Sequence, residues 1–209
     1  MTRVAKLWIC LAVIYAALLA WHQPLRGPLT EAEVRAAFGP QFDQMRDSQD
    51  PQATSMLDFF LTDNGRPFFM INLNALPDST AEIEDAARSY GAFMLPRLLS
   101  RASYPVLSSD VITGLNNSLG PDAARFERLI VVRYRSRRDL LRILTSPGFR
   151  SAVPNKHASL DGWYAAPATA GPVLSVPQVA LIVLIGVGGL GTLLAGRPQT
   201  RRRPESRAL

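Results

Sequence analysis

Two apolar runs of membrane length, one near each end, constrain this sequence more than any other feature. The first is VAKLWICLAVIYAALLAW, Val4 to Trp21, and the second is VALIVLIGVGGLGTLLAG, Val179 to Gly196. Each has 18 residues, which as α-helix extend about 27 Å, close to the roughly 30 Å of a bilayer's hydrocarbon core. In the first, Lys6 can snorkel to the interface, and Trp8 and Trp21 suit the interfacial belts. The second run carries no charge.

The net charge of +6 is placed around these runs. Seven of the 23 basic residues (Arg3, Lys6, Arg197, Arg201, Arg202, Arg203, Arg207) and one of the 17 acids (Glu205) lie outside His22–Val176. That middle holds 16 of each sign and is neutral. Excess positive charge confined to the flanks of apolar runs is a topology signal, not a nucleic-acid footprint. It predicts a two-pass inner-membrane protein with both termini cytoplasmic and the central domain periplasmic or otherwise extracytoplasmic. A cleaved signal peptide is the alternative for the first run. Leu18 and Trp21 spoil the small-residue cleavage pattern, so an uncleaved anchor is expected. The lone Cys10 lies within that run and allows no intramolecular disulfide.

The second run repeats small residues four apart, at Gly188, Thr192 and Gly196, a spacing that lets helix backbones approach. Preceded by SVPQ and followed by RRR, it also resembles the C-terminal sorting tags of some bacterial surface proteins. Gln178 stands where those tags carry an acid.

Between the runs, alternating helical and strand periodicities emerge. Thr30 with Glu33 forms a capping box that starts a helix stopped by Gly39-Pro40. Pro51 opens a second helix ending at Asn64-Gly65. RPFFMINLNAL is a strand, with Phe69, Ile71 and Leu73 on one face and Phe68, Met70, Asn72 and Asn74 on the other. A helix capped by Ser79 or Thr80 follows, with Pro96 expected to kink it. YPVLSSDVITGL and RFERLIVVRYR are strands separated by NNSLGPDA. Ser136 caps a helix through Thr145, a short helical stretch runs from Pro147 to about Ala152, and SLDGWYAAP is the last strand. From Arg66 the order is β-α-β-β-α-β, an α+β ferredoxin-like unit whose sheet has helices on one face and an open apolar face that wants a partner.

The stretch FERLIVVRYRSRRDLLRILTSPGFRSAVPNKHASL, with FFMINLNAL and YGAFMLPRLLSRASYPVLSSDV before it, resembles a bacterial family of unknown function in the dimeric α/β-barrel superfamily. The resemblance covers roughly Arg66 to Ala166. It implies a homodimer whose sheets pack face to face around an enclosed cavity.

The chain therefore divides into an N-terminal membrane helix (1–21), a linker and helical lead-in (22–65), a ferredoxin-like domain (66–167), a linker (168–178), a C-terminal membrane helix (179–196) and a basic cytoplasmic tail (197–209). Candidate ligand-binding residues are Asn72 and Asn74 on their strand face, Arg128 on the face of Ile130 and Val132, His157, and Trp163 on the last strand. His22 reads as a linker residue at the membrane edge, and RYRSRRD (Arg133 to Asp139) as a solvated strand end and helix start. The spacing of His, Cys, Asp and Glu suggests no metal site. No nucleophile–base pair, phosphate loop or carboxylate pair is visible, so no catalytic residue and no cofactor are assigned. The expected function is a membrane-tethered dimerisation or small-ligand-binding module that is not catalytic. The alternative is a cofactor-independent monooxygenase-like enzyme acting on a small apolar or aromatic substrate. Expected partners are the membrane, a second copy and a small molecule, with no nucleic acid.

Overall fold

A computed structural model of the chain describes residues 1–112, 126–169 and 175–195. The expected strand end at 113–115, the NNSLGPDA turn, Gly196 and the basic tail lie outside them. The chain divides into two compact units, one of Met1–Ala20 with Val173–Leu209 and the other Trp21–Pro172.

The first unit holds all but the last two residues of α1 (Arg3–His22) and all of α8 (Val176–Ala195), each helix long and apolar enough to cross a membrane. Trp8 is the knob between them. Its indole N–H donates to Thr192 Oγ1 at 3.2 Å. A Cβ built on Gly188 would come within 2.5 Å of the Trp8 ring, and one on Gly191 within 2.6 Å of Leu7. A side chain at Gly188 would displace the Trp8 ring, whereas at Gly191 only the mobile end of Leu7 would have to turn aside.

The second unit begins with α2 (Glu31–Phe38), α3 (Gln41–Arg46) and α4 (Pro51–Leu61). The Thr30–Glu33 capping box forms as the sequence predicts: Thr30 Oγ1 accepts from the Glu33 N–H, and the Thr30 N–H donates back to the Glu33 carboxylate. Asp50 caps α4 with Pro51 at its first position. The short α3 has no counterpart in the sequence reading. It buries Phe42 completely between the guanidinium groups of Arg35 and Arg46, 4.1 and 4.6 Å from its ring centre.

The sheet comprises β1 (Phe68–Ala75), β2 (Tyr104–Asp110), β3 (Arg128–Tyr134) and β4 (Gly162–Ala168), antiparallel throughout, in the order β2-β3-β1-β4. Between β1 and β2 runs α5 (Ala81–Leu99); between β3 and β4 run α6 (Arg137–Leu144) and α7 (Phe149–Ala158). Thr80, not Ser79, caps α5, and Ser136 caps α6. Helix α5 continues through Pro96, and α7 continues past Ala152 through Pro154 to Ala158. Proline six residues into a helix argues for an earlier end. Packing of α7 against α5 outweighs that preference and puts His157 in the last turn of a helix instead of in a loop.

Strand pairing fixes which residues share a face, since directly opposed residues point the same way. On one face lie Phe68, Met70, Asn72 and Asn74 of β1 with Arg128, Ile130, Val132 and Tyr134 of β3. Phe68, Val132 and Tyr134 from this face enter the core with Phe60, Leu98, Leu140, Leu141 and Ile143, and Met70 and Ile130 pack against it. Burying each large aliphatic or aromatic side chain there contributes about 1.5–3 kcal/mol. This is the helix-covered face. The opposite face carries Phe69, Ile71 and Leu73 of β1, Leu129 and Val131 of β3, Leu107 of β2, and Tyr164 and Ala166 of β4. An extra residue in β2, Val106, bulges between Pro105 and Leu107 and keeps this alternation in phase.

Candidate functional site

At one end of the covered face the register lines up one residue from every strand. Asp110, Arg128, Asn74 and Trp163 are successive cross-strand neighbours. Three of the five residues singled out from sequence thus stand in one row, and a fourth joins it. The end of α7 places His157 over Trp163, ring centres 4.8 Å apart, with Lys156 Nζ 4.7 Å from the indole centre. Burial of the Lys156 ammonium lowers its pKa below the ordinary lysine value. Asn74 is 8% exposed, and its amide has no side-chain hydrogen bond among the described residues. Among the described residues Arg138 Nε is the one buried side-chain nitrogen or oxygen without a partner, so the Asn74 amide keeps contact with solvent and is open to a hydrogen-bonding ligand. Arg128, by contrast, is satisfied within the chain: its Nε donates to Asp110 at 2.7 Å. That pair is open to solvent on both sides and contributes little, about 0–1 kcal/mol.

Asn72 stands in the next row, opposite Ile130 and Ala165. Its amide N–H donates to the carbonyls of Met70 and Ile130, both at 3.2 Å, so its donors are engaged by the backbone. Among the described residues, no group of three or more His, Cys, Asp or Glu is placed to hold a metal ion.

The RYRSRRD run is not a solvated surface, and this corrects the sequence reading. Arg133 is 6% exposed; its Nη1 donates to Ala102 O at 2.8 Å. Arg135 makes a two-armed ion pair with buried Asp139, at 2.8 and 2.9 Å, and also donates to Trp21 O. Arg137 donates to Phe59 O and to Thr62 Oγ1, lies over the Phe59 ring and approaches buried Asp63 at 3.8 Å. Arg138 grips Glu33 in the capping box of α2. Four arginines that look like surface charge instead tie the lead-in segment to β3 and α6. The three arginines of that run nearest the helix have either acids or carbonyls waiting in segments that are distant in sequence.

His22 is likewise not a linker residue. It is 2% exposed, with Nε2 2.9 Å from Tyr104 Oη and Nδ1 3.2 Å from Arg133 Nη2. No local signal marks this cluster, because His22 and Arg133 stand 111 residues apart.

The strand order and the helical crossovers define a ferredoxin-like α+β domain. No family model and no curated protein matches the chain. Among solved structures, similarity is found to a protein of unknown function from Rhodopseudomonas palustris, 21% identical, over 59% of this chain and 97% of that one, with a TM-score of 0.49. Similarity is weaker to SnoaB, a cofactor-independent oxygenase from Streptomyces nogalater (16% identical, 52% and 97% covered, TM-score 0.35). A dimeric protein of unknown function with a ferredoxin-like fold from Bacteroides fragilis is comparable (16%, 50% and 96%, TM-score 0.31). Likeness of this strength says nothing about chemistry, and the fold assignment rests on the strand order itself.

Proposed function

We propose that this chain is a two-pass membrane protein whose extracytoplasmic ferredoxin-like domain is a homodimerisation module, closed by packing the open sheet faces of two copies into an α/β barrel. The observation that carries this reading is the open face. A strand with water on one side alternates apolar and polar residues. Here β1 and β3 carry large apolar residues on both sides, Met70, Ile130 and Val132 on one and Ile71, Leu73, Leu129 and Val131 on the other. The rows Leu107–Val131–Ile71–Ala166 and Ser109–Leu129–Leu73–Tyr164 contain no charge. In the row beyond Leu107–Val131–Ile71–Ala166 the charged residue, Arg133, is buried. Leu107 and Tyr164 are exposed, at 47% and 58%. A second copy covers such a face without opposing like charges.

The two-pass reading is supported by the packing of α1 on α8. Trp8, near the start of α1, meets Gly188 and Thr192, in the second half of α8. Antiparallel helices in this register put both chain ends on one side, as the flanking basic residues require. A reporter active only outside the cytoplasm is expected to work when fused after Gly171 and to fail when fused after Leu209; the reverse result at either junction defeats the topology. Light scattering on the full chain in detergent is expected to give a dimer, and a monomer at high micromolar concentration defeats the barrel.

A small-ligand role for the same domain has one specific observation behind it, the unpartnered Asn74 amide beside the His157–Trp163 pair. Small molecules retained by the purified protein, identified by mass spectrometry and lost in Asn74→Leu, would support it. The oxygenase alternative has no comparable arrangement of described residues in its favour.

A further inference from the structure

The geometry points to Tyr104, backed by His22 and Arg133, as a hydrogen-bond donor site for a phosphate-class anion at the level of the lipid headgroups. A guanidinium can only donate. With Arg133 Nη2 3.2 Å from His22 Nδ1, that nitrogen must be the acceptor, so the ring proton is on Nε2. The Nε2–H then donates to Tyr104 Oη at 2.9 Å. With its oxygen serving as acceptor, the hydroxyl of Tyr104 keeps its own proton for another partner, and no acceptor for it is present among the described residues. Arg133 Nη2 also donates to His22 O at 3.2 Å, which fixes the histidine against the sheet.

The cluster also carries an unbalanced charge. Arg133 is 6% exposed and has no acidic partner among the described residues; burial first and then the Arg135 cation disfavour its charge. Arg135, Arg137 and Arg138 each have a carboxylate within 4 Å. A buried cation without a counterion raises the affinity of the nearest donor for an anion. Tyr104 is that donor, half-buried on the edge strand β2. Arg133 acts through His22 and is a positioning residue; Tyr104 makes the contact.

Chain connectivity suggests the source of the anion. His22 directly follows the run Val4–Trp21. If that run spans the membrane, as proposed above, His22 and the hydroxyl 2.9 Å from it stand at headgroup depth. Free phosphate offers the same chemistry, and the test separates the two.

The full-length protein in dodecyl maltoside and phosphate-free buffer is titrated with phosphatidylglycerol, with diacylglycerol of the same acyl chains, and with inorganic phosphate. Binding is read by native mass spectrometry. Phosphatidylglycerol is expected to bind at least about tenfold tighter than diacylglycerol, the difference one hydrogen bond to a charged group represents. Tyr104→Phe keeps the ring and is expected to bring the two lipids within about twofold. Inorganic phosphate binding that is lost in Tyr104→Phe, without lipid preference, keeps the site and makes free phosphate its ligand. Equal binding of both lipids with no phosphate binding overturns the proposal, as does Tyr104→Phe binding phosphatidylglycerol like the unaltered protein. If Tyr104→Phe does not fold, the contrast between the lipids on the unaltered protein decides. Light scattering on the same samples keeps the dimer separate, since loss of the dimer with lipid preference intact counts only against the barrel.

Discussion

The two faces of the one sheet are similar in composition and opposite in fate. The covered face carries Met70, Ile130 and Val132, and the open face Ile71, Leu129 and Val131. What differs is what lies above them. The covered face meets α5 and α6 and forms a continuous core with Phe60 and Ile143. The open face leaves large side chains in contact with solvent in a single copy. Hydrophobicity alone therefore does not say which face stabilises the fold and which is kept for association. Coverage within the chain decides it.

The largest expected effect is Ile130→Asp. Ile130 packs against the core from mid-strand, opposite Asn72 and Ser108. An unpaired carboxylate placed against that core costs on the order of several kcal/mol. Thermal or denaturant unfolding is expected to show a protein that barely folds; an unchanged melting temperature would mean the faces have been assigned the wrong way round.

Next is Arg137→Ala. From sequence, a cation at a helix start should cost under about 0.5 kcal/mol to remove. The contacts to Phe59 O, Thr62 Oγ1 and the Phe59 ring, and the approach to buried Asp63, raise the expected loss to about 1–3 kcal/mol. A denaturation midpoint unmoved by this substitution would restore the solvated reading of the run.

Ile71→Asp sharpens the contrast from the open side. The monomer is expected to lose about 1 kcal/mol or less, the span of strand propensities, while light scattering shows the dimer dissociated. A variant as dimeric as the parent would show that the open face is not the interface.

The smallest effect is on pH dependence. The Glu33 carboxyl is held down at about 2, first by its hydrogen bonds from Arg138 and then by the Thr30 N–H. A depressed carboxyl pKa gives stability that is fully present above the ordinary value of 4.5 and lost as pH falls toward about 2. Unfolding curves for the parent and Glu33→Gln are therefore expected to converge across that acid window and to separate above it. Parallel curves throughout would mean that the Arg138–Glu33 link is absent in solution.

Much of the architecture was legible because it is written in local patterns. Thr30, Pro51 and Ser136 stand beside the helices they start, and the period-two alternation in RPFFMINLNAL separates Asn72 and Asn74 from Ile71 and Leu73. The site was legible in part. Asn74, Arg128 and Trp163 were named singly, and only strand register shows that they are neighbours across three strands. His157 reaches Trp163 because α7 runs on past Pro154, against the local preference.

By itself the sequence determined the two membrane-length helices, the order of strands and of every helix but α3, and which residues alternate along each strand. These follow from runs, caps and periods that span a few residues, where chain geometry leaves few choices. Tertiary structure alone decided which apolar face is covered, and that four arginines of a seemingly solvated run hold the lead-in segment to β3 and α6. It also decided that His22 closes onto Tyr104 and Arg133. Those outcomes depend on pairings between residues as far as 114 positions apart. A charge or an imidazole carries no local mark of the partner that will bury it, because burial becomes favourable only once folding has brought that partner within hydrogen-bond distance.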